Sequence, residues 1–299
     1  MPQTQYMAPP RVLLSGLAVV VLWASAFPAI QVAAPQLGVV GLSFARLVVA
    51  ALALLAVSPF LGVRLPRPRD LPLIVACAFF GMTAYQLLLN WGELEVPAGT
   101  ASIIVAAAPL VSAAIAVAAF GESLGVLKVV GSLVAIGGVL LVCLARSGLS
   151  VSASVWIVVG AMVVQGIYHP LTRPLLKRYS GLEVATYAMV AGTVMTLPFV
   201  PLGWAAIVAS DTPSRFAALY LGLFPSALGF VLWGYAVAHL PVVTSTSLLY
   251  LVPPVAVLIA FVWLGEIPTL TELIGGAIVI VGVLIVRAPS TRARRAAST

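Results

Sequence analysis

A set of polar and aromatic residues interrupts the apolar runs of this 299-residue chain: Trp23, Ser25, Tyr85, Gln86, Asn90, Ser102, Gln165, Tyr168, His169, Trp233, Thr246 and Tyr250. Asn and Gln are costly in lipid unless they face a partner or a wet cavity. Together the amides and hydroxyls offer donors and acceptors for a molecule with two charged ends. The tyrosines offer an amphipathic wall for an apolar side chain. With Trp23 and the tyrosines as the grip, the same set suits a flat organic cation held by cation–π contact. Bond-making chemistry needs a nucleophile–base set or a metal cluster. With His169 and His239 as the only histidines, and Cys77 and Cys143 inside apolar runs, neither is available. No enzyme activity, metal or cofactor is expected. Packing accounts for His169 equally simply, and interface anchoring accounts for Trp91 and Trp233.

The elements that carry these residues must be membrane helices. The chain is 62% hydrophobic and 8% charged, with eight acidic residues, whereas a soluble domain carries roughly 25% charge. Apolar runs of about 18–22 residues match the hydrocarbon thickness, and none alternates as a transmembrane β-barrel would. The first run, after Arg11, is too long for a cleaved signal. The pattern predicts an all-α integral membrane protein with ten spans: 12–33, 39–60, 72–92, 97–120, 124–144, 154–174, 182–202, 216–238, 241–264 and 270–288. Turn chemistry at Pro35, Pro66, Pro97, Gly121, Gly148, Gly181, Pro213, Pro241 and Pro268 separates them.

The chain is also a repeat. A shift of 144, as between Pro109 and Pro253, pairs Pro97 with Pro241, Thr100 with Thr244 and Gly121–Glu122 with Gly265–Glu266. It further pairs Gly131 with Gly275 and Gly138 with Gly282, while Trp91 and Trp233 pair if two residues are inserted before Pro241. Two five-helix units follow, 1–148 and 149–299. Lys and Arg fall twelve to two on the side of the N-terminus, with Arg46 inside the second span, so both termini are expected in the cytoplasm. The basic tail reads as a topology anchor, not a nucleic-acid site. Five is odd, so the second unit inserts upside down, the architecture of many secondary transporters. Pro28, Pro109, Pro170, Pro225 and Pro253 lie within spans and are candidate hinges. The glycine-rich fifth and tenth spans read as packing faces, and a monomer is expected, although the Gly131/Ala135 spacing would also suit a homodimer.

Trp23-Ala24-Ser25, Arg46, and the block Pro97, Thr100, Pro109, Gly121-Glu122, Gly131 and Gly138 with its second copy resemble the drug/metabolite transporter superfamily, in its ten-helix EamA-type branch. The resemblance spans about residues 12–288. It departs at Ala24, where a Gly often follows the Trp, and in the sixth and seventh spans. It implies a secondary transporter of the bacterial cytoplasmic membrane, similar to amino-acid and metabolite exporters, working by alternating access through a central cavity. It further implies that Ala106–Ala108 and Tyr250–Val252, just before paired prolines, line that cavity. The helix-1 carboxylate of the related small multidrug exporters is missing here, and Glu93, Glu95, Glu122 and Glu266 read as span ends or loop junctions. Transport without a proton gradient is therefore expected. Neutral amino acids, including aromatic ones, are the leading substrate class, with organic-cation export or metabolite import as alternatives. An intramembrane enzyme or a receptor would not need the inverted repeat.

Overall fold

The computed structural model describes residues 10–120, 126–147, 152–239 and 249–287. Thr246, Glu122 and Pro241 lie outside the described residues. All regular structure among the described residues is helical. The first element, Pro10–Val57, would be roughly 70 Å long if straight, more than twice the ~30 Å hydrocarbon core. It is broken at Gly38, where φ is 67° and ψ 170°, into α1 (residues 10–37) and α2 (residues 39–57). Only glycine takes that conformation without strain. The expected break at Pro35 is therefore corrected to Gly38. Pro28 and Pro35 both sit inside helix.

The remaining helices follow in order. They are α3 (residues 71–92), α4 (residues 98–120), α5 (Val126–Ser147), α6 (Ala153–Leu176), α7 (residues 181–209), α8 (residues 212–239), α9 (residues 249–264) and α10 (Leu270–Arg287). Among the described residues, five helical stretches are long and apolar enough to cross a membrane, and shorter apolar helices cover 98–112, 129–142, 249–264 and 270–285. The turn from α7 to α8 falls at Ser210–Asp211 rather than at Pro213, because the Asp211 side chain accepts from Ser214 N and caps α8. Ser180 and Glu183 form a reciprocal capping box that starts α7.

The structure repeats in the same register as the sequence. A π-helical turn occupies Ala78–Ala84 in α3 and recurs at Gly222–Leu228 in α8. Helix Ala108–Phe120 in α4 recurs as Val252–Leu264 in α9. Each pair differs by 144, the shift that pairs the prolines. Pro109 and Pro253 start those helices after a local break, positions where the missing N–H costs little.

Two apolar clusters form the interior. One centres on Ala24–Leu42 of the first element with Leu89, Ile104, Ala256 and Val279. The other joins Leu47, Leu54, Met82, Tyr168, Met189 and Phe230. Helices α5 and α10 lie backbone to backbone. A Cβ at Gly282 would sit 2.4 Å from Ala135 N, and one at Gly138 would sit 2.7 Å from Val279 N. The flanks expose large apolar side chains, among them Leu14, Trp156, Leu202, Phe216 and Val262, as a lipid-facing surface requires.

Candidate functional site

A cavity of about 90 Å³ opens between the two apolar clusters. Its wall comes from both copies of the repeat. Trp23, Ala26 and Phe27 of α1, Arg46 of α2, Tyr85 and Leu89 of α3, and Ser102, Val105, Ala106, Ala108 and Pro109 of α4 supply the first half. Gln165 and His169 of α6, Phe230 of α8, and Leu249, Tyr250 and Val252 of α9 supply the second. Tyr85 follows directly on the first π-turn and Phe230 comes two residues after the second, and such turns re-aim the side chains that come after them. Two larger recesses lie on the flanks and are lined mainly by apolar side chains. They suit lipid chains and lack convergent polar groups.

Trp23 is held firmly. Its indole N–H donates to the Pro225 carbonyl at 3.1 Å, and its ring packs at 5.2 Å from Phe230 and 5.4 Å from Trp233. The freed carbonyls of the π-turn thus find a partner beside the cavity. Arg46 is 4% exposed. Its Nε donates to Ser226 Oγ at 2.8 Å, while Nη1 has no partner among the described residues. Gln165 Oε1 is likewise buried and unpartnered among them. A guanidinium N–H and an amide oxygen in the same lining leave a donor and an acceptor open to a guest.

Polar networks beyond the two ends of α3, outside the cavity lining, tie the two halves of the chain together. At one end Arg64 donates to Glu183 Oε1 at 2.7 Å and Oε2 at 3.1 Å, and Tyr187 OH donates to the Arg64 carbonyl at 2.5 Å. Arg178 pairs with Asp70, whose other oxygen accepts from Tyr179 OH at 2.7 Å. The Arg64 guanidinium bonded to it, with backbone donors, holds the Glu183 carboxyl down to about 2. At the other end Glu266 accepts from Ala98 N at 3.2 Å and Gly99 N at 3.4 Å, the first amides of α4. Beside it Thr100 donates to Glu272, and Gln31 donates to the Val96 carbonyl at 2.9 Å. These two networks bridge opposite halves of the chain.

The match to the EamA-like transporter family runs over residues 10–144 and again over 152–288. The chain belongs to that family. Its two EamA repeats, helical fold and apolar flanks make it a multi-pass membrane transporter of small molecules, in a family of transporters rather than of enzymes. The chain is 52% identical over 280 residues to a probable terminal-alkyne amino-acid exporter of Streptantibioticus cattleyicolor, with 94% of each covered. It is 31% identical over 274 residues to the uncharacterised transporter YdfC of Bacillus subtilis, covering 91% of this chain and 90% of the other. A solved crystal structure superposes with TM-score 0.69 at 18% identity, covering 94% and 97% of the two chains, and shares the fold.

Within this EamA fold the residues singled out from sequence separate into three groups. Trp23, Tyr85, Ser102, Ala106, Ala108, Gln165, His169 and Tyr250 line the cavity, as does Pro109. Ser25, Gln86, Asn90, Tyr168 and Trp233 are buried but do not line it. Ser25 meets the Tyr220 hydroxyl at 2.6 Å, Asn90 donates to Ser43 at 2.8 Å, and Trp233 acts through Trp23. Pro28, Pro170 and Pro253 also lie off the lining, and Pro225 meets it through its carbonyl. Thr246 belongs to the residues not described. Arg46 was legible as a charge in mid-span but was absent from the proposed grip. Glu93 sits where the sequence puts it, just past the last turn of α3. It was absent from the proposed grip, yet it is 3% exposed with neither carboxylate oxygen partnered among the described residues.

Proposed function

We propose that this EamA transporter exports small neutral amino acids from the bacterial cytoplasm by alternating access. In this reading ten membrane helices form two inverted five-helix units, 1–148 and 149–299, with both termini cytoplasmic and the cavity between them. The observation that carries it is Arg46: a buried guanidinium in the cavity lining, with an N–H unpartnered and no acidic residue on the wall among the described residues. A carboxylate is the natural guest for that group. Gln165 and Ser102 supply neutral polar contacts, while Phe27, Leu89, Val105 and Phe230 leave an apolar berth for a side chain. The small volume and the alanines of α4 favour a short side chain, in keeping with the terminal-alkyne substrate named for the Streptantibioticus relative. Aromatic amino acids would need the cavity to widen. An open guanidinium among the described lining residues pairs with a carboxylate, a group that the organic-cation alternative lacks.

The test is transport by purified protein in liposomes, against short neutral amino acids including a terminal-alkyne one, aromatic amino acids and quaternary ammonium dyes. Counterflow of the short amino acids, lost in Arg46→Gln, is the expected result. Movement of the cations with no movement of any amino acid would overturn the reading.

A further inference from the structure

Glu93 is the buried group that the cavity description leaves unused. Tyr85, Leu89 and Glu93 are spaced i, i+4 and i+8, so they share one face of α3. Tyr85 and Leu89 line the cavity, and Glu93 N still donates to the Leu89 carbonyl at 2.9 Å, so the helical path continues through it. Glu93 therefore lies about 6 Å further along the same face, toward the Glu266 network. Its carboxylate is buried with both oxygens unpartnered among the described residues. The charged groups within electrostatic reach are Arg46 and Glu266. Glu266 is occupied by the Ala98 and Gly99 amides. Arg46 feels Glu93, yet it bonds Ser226 instead and keeps Nη1 open.

A buried arginine and a buried glutamate that feel each other's charge would ordinarily close into an ion pair, because leaving both charges unpaired is costly. Here they stay apart, each with free hydrogen-bonding capacity. Packing within the repeat does not call for them. The glycines, prolines and Gly265–Glu266 recur in both copies, but Arg46 has no counterpart, since residues 181–209 contain no Lys or Arg. Glu93 corresponds to Tyr235 or Val237, depending on the register. Both charges thus belong to one copy only, Arg46 on the cavity wall and Glu93 one turn beyond the lining residue Leu89.

We propose that Arg46 and Glu93 are the two halves of a split ion pair that a zwitterion completes. Arg46 takes the α-carboxylate, Glu93 takes the α-ammonium, and the side chain lies toward Phe27 and Phe230. Glu93 is thereby the residue that selects a free amino group. The inference rests on the amino-acid reading above and adds that both charged ends are read.

The experiment compares three ligands in liposomes: a short neutral amino acid, its N-acetyl derivative and its methyl ester. Wild-type protein is expected to carry the free amino acid at least about tenfold better than either derivative, because a site built for a group rejects analogues that lack it. In Glu93→Gln, transport of the free amino acid should fall while that of the N-acetyl derivative does not, so that the tenfold preference collapses. Glu93→Asp should keep the preference. Ligand-induced thermal stabilisation in detergent gives the same comparison without turnover, and it reads the variants whether or not they transport. If wild type carries the N-acetyl derivative as well as the free amino acid, or if Glu93→Gln lowers both in proportion, the split pair is wrong while the amino-acid reading stands. If no form of any amino acid moves or binds, both fall together.

Discussion

The charges that matter in this chain are few, and their surroundings divide the labour among them. Arg46 lines the cavity with an open N–H, so Arg46→Lys, which keeps the charge but loses the planar fork, should weaken amino-acid transport by about five- to a hundredfold. Counterflow measurements at several substrate concentrations would check it, with unchanged transport as the contrary result. Glu183 does different work, at the polar rim. The Arg64 guanidinium and backbone donors hold its carboxyl at about 2, against an ordinary 4.5. A carboxylate depressed in the folded state adds stability that is full above about pH 4.5 and is lost as the pH falls through about 2. Glu183→Gln should therefore melt earlier than wild type at pH 7, and the difference should close as the pH is lowered across that window. Thermal melts in detergent at pH 7, 4 and 2.5 decide the matter, and a pH-independent gap would count against it. Of these two residues Arg46 was visible in sequence as a lone cation in an apolar run. The capping box of Ser180 and Glu183 came only with the structure, and nothing in one dimension brings Arg64 across to it.

At the scale of elements, the repeat was readable because it is written in residues with restricted backbones. Prolines and glycines paired at a shift of 144, and the helices that follow them recur at the same shift. The π-turns at Ala78–Ala84 and Gly222–Leu228 were not readable. An extra residue in a helical turn leaves the apolar pattern of a fully buried run almost unchanged, so periodicity carries no trace of it. The break at Gly38 was missed for a related reason. Pro35 is the stronger helix breaker in water, but a membrane helix tolerates proline where neighbouring helices surround it, and the left-handed φ at Gly38 makes the turn. The pairing of α5 with α10 gives the element-scale prediction. Gly282 approaches Ala135 so closely that a Cβ would meet backbone nitrogen at 2.4 Å. Gly282→Leu should cost at least about 1–3 kcal/mol through overpacking and lower the melting temperature. The same change at Gly137, where a Cβ meets nothing within 4 Å, should be nearly silent. Equal loss at both positions would show that helix propensity or membrane insertion, not the close approach, sets the effect.

In the alternating-access reading proposed above, the two polar networks are the contacts that opening has to break. The structure joins α4 to the α9–α10 turn through Glu266, which takes the Ala98 and Gly99 amides, and through Thr100 with Glu272. With both termini cytoplasmic, as proposed above, this end faces the periplasm and the Arg64–Glu183 end the cytoplasm. A carboxylate at a helix N-terminus is favoured by the unpaired amides and by the helix dipole, so the Glu266 contact biases the molecule toward the state closed at that face. Glu266→Gln weakens both terms and leaves the Arg64–Glu183 network intact. The equilibrium should then move toward opening at the Glu266 end, by an amount set by the lost differential contact. Ala106 lines the cavity, so Ala106→Cys in a background with Cys77 and Cys143 replaced reports access to it. In whole cells a membrane-impermeant thiol reagent should label that cysteine several times faster when Glu266→Gln is added. Added Glu183→Gln should slow the labelling, because it loosens the opposite network. If Glu266→Gln leaves the rate unchanged, the contact merely caps α4 and is no part of the gate. If the labelling responds in the opposite sense to both substitutions, the orientation drawn from the Lys and Arg distribution is reversed.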